Sequence, residues 1–224
     1  MTTAPLDPID PARTALVLID LQRGIVAMPT VPIPGTEVLA NATRLARACR
    51  ESGVQVVLVH VTPSADRRDA LHPPADAAGP GGTAGPGAPA QPGAPAQSAP
   101  PAPPADFAEI IPELGPEPGD IVIAKRQWGA FYGTELDLQL RRRGIHTIIL
   151  GGISTDIGVE STARDAYERG YAQVFALGAM AARSAAGHAH AVDEMMPRMG
   201  RVRTVDAIVE AVRRGRELAG PQPG

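Results

Sequence analysis

A chain of 224 residues, 44% of them hydrophobic, is long enough to bury a sizeable core in one α/β domain. A net charge of −3 and a pI near 6.0 give no electrostatic basis for nucleic acid or an anionic membrane as partner. One cysteine excludes a disulfide framework and a cysteine-rich zinc site, while the lack of a charged-then-apolar leader over residues 1–11, and of any apolar run near the ~20 residues of a bilayer span, predicts a cytoplasmic protein.

Residues 14–20 form the first expected strand, an apolar run closed by Asp20. A carboxylate there lies at the carboxyl end of a central parallel strand, so it sits at the mouth of the sheet or caps the next turn. Gln22 and Arg23 follow in a polar loop that Pro29, Pro32 and Pro34 keep irregular. A helix is expected over 36–52, with Cys49 as a small buried thiol and Gly53 as its stop. The strand over 54–61 completes a βαβ unit. His60, with no second histidine at metal-binding spacing, reads as a satisfied polar group.

From about residue 73 to 105 the chain is almost entirely Pro, Gly, Ala, Gln and Ser. It cannot bury enough apolar surface to offset its ordering entropy. The segment before it holds too few elements to close a core. It therefore reads as a disordered insertion in a surface loop of one domain spanning 1–224, rather than as a linker.

The third strand, 121–125, ends on Lys125. Trp128, Phe131 and Tyr132 follow at once in a chain with 3% aromatic residues. That concentration reads either as a pocket wall or as a hydrophobic cluster beneath the long loop. After a helix over 134–141, whose Arg141–Arg143 end suits the helix dipole, the apolar run 146–150 forms the fourth strand and meets Gly151 and Gly152. The glycines are expected to end the strand, and Ser154 and Thr155 to cap the next helix. A strand, a glycine turn and a helix N-terminus leave backbone N–H groups facing a crevice. A fifth strand over 172–177, a helix over 186–199, a sixth strand over 202–204 and a helix over 205–217 finish the chain. His188 and His190 face different directions on a helix and are expected at the surface.

Successive βα units with right-handed crossovers give a three-layer α/β/α sandwich whose strand ends converge on one rim. That rim carries Asp20, Lys125 and the turn from Gly151 to Gly158. No P-loop and no GxGxxG spacing is present, so no nucleotide cofactor is expected.

Asp20, Lys125 leading into Gly129-Ala130-Phe131, the run from Gly151 to Thr155 and the run from Ser161 to Ala166 together resemble the isochorismatase-like hydrolase superfamily, in a branch without the cysteine. The resemblance implies a six-stranded parallel sheet of order 3-2-1-4-5-6, a homo-oligomer (dimer or tetramer) and a cis peptide before Ser154. Amidases of that superfamily use an Asp-Lys-Cys triad, and here the cysteine position falls on Gly158. The metal motif of nicotinamidases is absent from 61–72, so no metal is expected. Isochorismatases likewise keep Asp and Lys and carry glycine at that position. By that likeness Asp20 is the general acid for hydrolysis of a vinyl ether on a small carboxylate-bearing molecule. Lys125 holds the substrate carboxylate, and Gly158 makes room for the ring. Gln22, Trp128, Phe131, Tyr132, Ser154 and Thr155 complete the candidate substrate-contacting set. An ammonium beside Asp20 lowers its pKa and opposes an acid role unless burial reverses the effect. The alternative is a catalytically silent binding or scaffold member.

Overall fold

The computed structural model describes residues 5–64, 66, 68, 69, 71 and 104–220. His72 and the proline-rich stretch as far as residue 103 lie outside the described residues, and so does the expectation of a disordered insertion there.

Apolar runs with no polar face need cover on both sides, and the sheet supplies it. Strands β1 (Thr14–Ile19), β2 (Gln55–Val61), β3 (Ile121–Lys125), β4 (Thr147–Ile153), β5 (Ala172–Ala181) and β6 (Arg201–Thr204) form one six-stranded parallel sheet of order β3-β2-β1-β4-β5-β6. Central β1 is buried along its whole length, with Val17 opposite Val57 on one side and Leu150 on the other. Period-two alternation divides its side chains between two cores. Leu16, Leu18, Leu58 and Ile149 pack with α2 (Gly35–Ser52) and α7 (Val205–Ala219). Val17, Ile19, Val59 and Leu150 pack with α3 (Leu136–Arg142) and α4 (Glu160–Glu168). Each fully buried Leu, Ile or Val contributes about 1.5–3 kcal/mol, so these two layers carry most of the stability. The result is the expected α/β sandwich.

Three boundaries differ from the sequence expectation. β4 does not end at Leu150 but runs through both glycines, because β1 continues to pair with it at Leu18–Gly151 and Ile19–Gly152. Gly152 has φ +129, and a Cβ there would collide with the Ile19 carbonyl, so the glycine permits close approach of two strands rather than a stop. β5 reaches Ala181 through a bulge that moves its pairing from Leu150–Phe175 to Gly152–Met180. The helix expected over 186–199 is divided into α5 (Ala185–Ala189), a wide-turned stretch (His190–Met195) and α6 (Met196–Met199), with Pro197 in the first turn of α6. No helix among the described residues is long and apolar enough to cross a membrane.

Candidate functional site

Asp20 follows β1 with φ +56, the one non-glycine residue with positive φ among the described residues. Aspartate tolerates this left-handed region better than most side chains, at a cost of order 1–3 kcal/mol. Its N–H still donates to the Val59 carbonyl at 2.8 Å. Simple alternation would send residue 20 to the side of Leu16 and Leu18, whereas Lys125 shares the side of Ile121 and Ile123. The reversed φ is what lets the carboxyl cross over.

Lys125 is 1% exposed. Its Nζ donates to Asp20 Oδ2 at 2.8 Å, Gln127 O at 3.1 Å and Trp128 O at 2.9 Å. An ammonium has three N–H donors, and all are used. Burial of the charge is tolerable for that reason. With these partners the ammonium has no donor left over for the substrate carboxylate that the family resemblance assigns to it.

Asp20 is 6% exposed, and the two carboxyl oxygens differ. Oδ2 is held by Lys125, while Oδ1 is buried with no hydrogen-bond partner among the described residues. Burial pushes the carboxyl up to about 6, outweighing the Lys125 charge and hydrogen bond and the smaller pulls of His60 and the nearby Val61 backbone N–H, all of which lower it. The ammonium's opposition to an acid role is therefore overcome by desolvation.

Gly158 closes the other side. A Cβ on it would lie 3.0 Å from Ile19 Cγ2, 3.3 Å from Asp20 Oδ2 and 3.5 Å from Trp128 O, so any side chain there would stand against the pair. The chain reaches Gly158 through the cis peptide Ile153–Ser154 and a wide turn, Thr155–Val159, that continues into α4. The expected caps are not made. The Ser154 carbonyl, not its hydroxyl, closes the first turn by accepting from the N–H groups of Ile157 and Val159. Ser154 Oγ donates instead to Asp156 Oδ1 at 2.5 Å. Thr155 Oγ1 pairs with His188 Nδ1 at 2.9 Å, both side chains buried. His188 is thus not a surface residue, and burial holds its pKa below the ordinary imidazole value. Both hydroxyls are engaged in fixing the turn.

The aromatic run divides. Trp128 and Tyr132 are 61% and 76% exposed, and only the Trp128 carbonyl enters the site. Phe131 belongs to the core, its ring centroid 5.9 Å from that of Tyr171 and the Arg169 guanidinium 4.9 Å above it. The Gln22 amide is likewise spent within the protein. Fully buried, it donates to the carbonyls of Val61 and Phe107 at 3.0 Å and accepts from the Val61 N–H at 2.8 Å, pinning the segment after residue 104 onto the sheet.

Sequence reading missed Thr162, whose buried hydroxyl donates to Gly158 O at 2.7 Å and accepts from the Ala130 N–H at 3.1 Å. Its spacing, four residues beyond Gly158 on the same helix, was the available signal. Cys49 lies wholly inside the α2 layer, and burial pushes its thiol up to about 12, so it supplies no thiolate. Among the described residues, no three or more His, Cys, Asp or Glu side chains are grouped to hold a metal ion. Surface depressions between Glu51, Arg213 and Arg216, and beside His60, Ile110 and Val122, include neither Asp20 nor Lys125. The arrangement brings together a buried carboxyl with one unpartnered oxygen, a lysine bonded to its other oxygen and a glycine whose missing side chain would stand against them.

The isochorismatase domain profile matches residues 14–207. An uncharacterized isochorismatase family protein of Bacillus subtilis, YwoC, is 44% identical over 206 residues, 92% of this chain and 97% of that protein. The ureidoacrylate amidohydrolase RutB of Agrobacterium fabrum is 30% identical over 175 residues, 73% of each chain. The structure of an isochorismatase family protein from Burkholderia thailandensis superposes with a TM-score of 0.78 at 38% identity, covering 93% of this chain and all of that one.

Proposed function

The chain belongs to the isochorismatase family, and on that premise we propose that it is a hydrolase of a small carboxylate-bearing molecule, working by proton transfer at Asp20 without a cysteine nucleophile. The observation that carries this reading is the asymmetry of Asp20: Lys125 holds Oδ2, on the side of Gly158, while Oδ1 is buried and has no hydrogen-bond partner among the described residues. A carboxyl raised to about 6 is protonated often enough near neutral pH to act as an acid.

A vinyl ether is the substrate class that fits the absence of a nucleophile. Asp20 Oδ1 gives its proton to the terminal vinyl carbon, leaving an oxocarbenium ion. Water adds to the cationic carbon and loses a proton. The hemiketal then collapses to a ketone and an alcohol, and a proton returns to Asp20. Lys125 acts on Asp20 alone in this scheme, because its donors are spent on protein acceptors. RutB of Agrobacterium fabrum is named for amide hydrolysis, but an attacking thiol has no counterpart at Gly158, and Cys49 is sealed in the core.

Glycine at position 158, where the amidases of the family have their nucleophile, supports a second reading, a binding or scaffold protein without turnover. Pyruvate release from isochorismate, assayed within a panel of vinyl ethers and amides, separates the two. Turnover that Asp20→Ala lowers by about 10²–10⁴-fold supports the hydrolase. No turnover across the panel, with ligand binding indifferent to Asp20→Ala, leaves the binder.

A further inference from the structure

The loop 127–130 and the turn at Gly158 are separate pieces of chain that both border the Asp20–Lys125 pair, and one side chain joins them. Thr162 is buried on α4, one helical turn beyond Gly158. Its bond to Gly158 O is the usual back-bond of a helical threonine to the carbonyl four residues earlier. Its acceptance of the Ala130 N–H is different, because that bond crosses to another element. The loop lies tightly on α4 there: a Cβ on Gly129 would stand 3.2 Å from Asp165 Oδ2. Two residues before Ala130, the Trp128 carbonyl accepts from Lys125 Nζ, and the same carbonyl is 3.5 Å from the Cβ position of residue 158. A continuous relay thus runs from Gly158 O through the Thr162 hydroxyl and the loop backbone to the Lys125 ammonium and the Asp20 carboxyl.

We propose that Thr162 is a positioning residue, whose hydroxyl sets the loop 127–130 in register with the Gly158 turn and thereby holds the buried Lys125–Asp20 pair in place at the sheet rim. The inference rests on the reading of Asp20 as the proton-transfer group, but its test needs no turnover. Thr162→Val keeps the β-branched shape, removes both hydrogen bonds and leaves the buried Ala130 N–H without a partner. The loop then relaxes, Trp128 O withdraws from Lys125, and water reaches the pair. Weaker desolvation and an ammonium with fewer competing acceptors both lower the Asp20 pKa.

The experiment is a carbon-13 NMR titration of the aspartate carboxyls in the full chain, with thermal melts to establish that each variant folds. Thr162→Val is expected to lower the Asp20 midpoint by roughly one pH unit or more, and Thr162→Ser, which keeps the hydroxyl, to restore it. A folded Thr162→Val protein that titrates like the wild type overturns the proposal, as does Thr162→Ser behaving like Thr162→Val. Amide hydrogen exchange in the unmodified chain supplies an independent measurement. Protection of the Ala130 N–H comparable to that of β4 amides is expected, and exchange at the rate of an exposed loop overturns it. A normal titration response with no turnover on any substrate counts against the hydrolase reading and leaves the role of Thr162 intact.

Discussion

Two carboxylate–cation pairs in this molecule, one half-buried and one buried, are finished differently. Arg50 on α2 grips Asp120 through Nε to Oδ1 at 3.2 Å and Nη2 to Oδ2 at 2.7 Å, and adds Glu117 Oε1 at 2.9 Å and Leu114 O at 2.7 Å. The Glu117 N–H also donates to Asp120 Oδ2 at 2.9 Å, so both oxygens of Asp120 are satisfied. At the sheet rim Lys125 is equally saturated, yet Asp20 Oδ1 is left without a partner. An unsatisfied buried acceptor costs about 1–3 kcal/mol, and the left-handed backbone at Asp20 adds to that. Other side chains, such as Gln173, also bury an unpartnered atom, but at Asp20 the feature coincides with a positive φ and a buried lysine, and the proposed proton transfer accounts for that combination.

Substitutions at the two pairs should therefore separate activity from stability. The largest expected effect is Asp20→Asn, which keeps the shape but removes the acid: kcat on a turned-over substrate falls by about 10²–10⁴-fold. Retention of more than a tenth of wild-type kcat would remove Asp20 from the chemistry. Arg50→Met should do the reverse. The half-buried Asp120 is left without its cation but keeps the Glu117 N–H, at about 1–3 kcal/mol in chemical denaturation, while kcat at a temperature where the variant is folded stays within roughly twofold, since Arg50 makes no contact in the site. Gly158→Val tests the space beside the pair. Its Cβ would stand 3.0 Å from Ile19 Cγ2 and 3.3 Å from Asp20 Oδ2, so those neighbours must give by a few tenths of an ångström, and the added methyls crowd the carboxyl further. Binding should weaken at least roughly tenfold, with stability reduced by about 1–3 kcal/mol from overpacking against Ile19.

The pH dependence sharpens the same contrast. An acid role requires protonated Asp20, so kcat/KM should fall as pH rises through about 6. Stability follows the same sign. The folded-state pKa lies above the ordinary aspartate value of 3.8, so the Asp20 contribution is complete below pH 3.8 and is lost as pH rises through about 6. Lys125→Met removes a group that lowers this pKa, and should move the rate profile to higher pH. A shift to lower pH would contradict the assigned balance between burial and charge.

Much of the frame was legible in the sequence because it rests on local pattern. The apolar run that ends on Asp20, the strand that ends on Lys125 and the bare position 158 could be read from residue type and spacing, and so could the parallel sandwich. What escaped depends on partners distant in the chain. The amide of Gln22 is spent on Phe107, and the Thr155 hydroxyl on His188, so neither is where local capping or loop chemistry would put it. Gly151 and Gly152 look like terminators until the register with β1 shows that strand contact requires them. The saturation of Lys125 was invisible for a plainer reason: two of its three partners are backbone carbonyls, which no side-chain pattern reports.

The most direct test of the account is the titration of Asp20 itself in the wild-type protein, followed by carbon-13 NMR of the carboxyl and assigned by its disappearance in Asp20→Asn. The buried, half-partnered carboxyl predicts a midpoint near 6. A midpoint at or below about 4, the value of an ordinary solvated aspartate, would mean that the Lys125 charge prevails over burial and that Asp20 is not the acid.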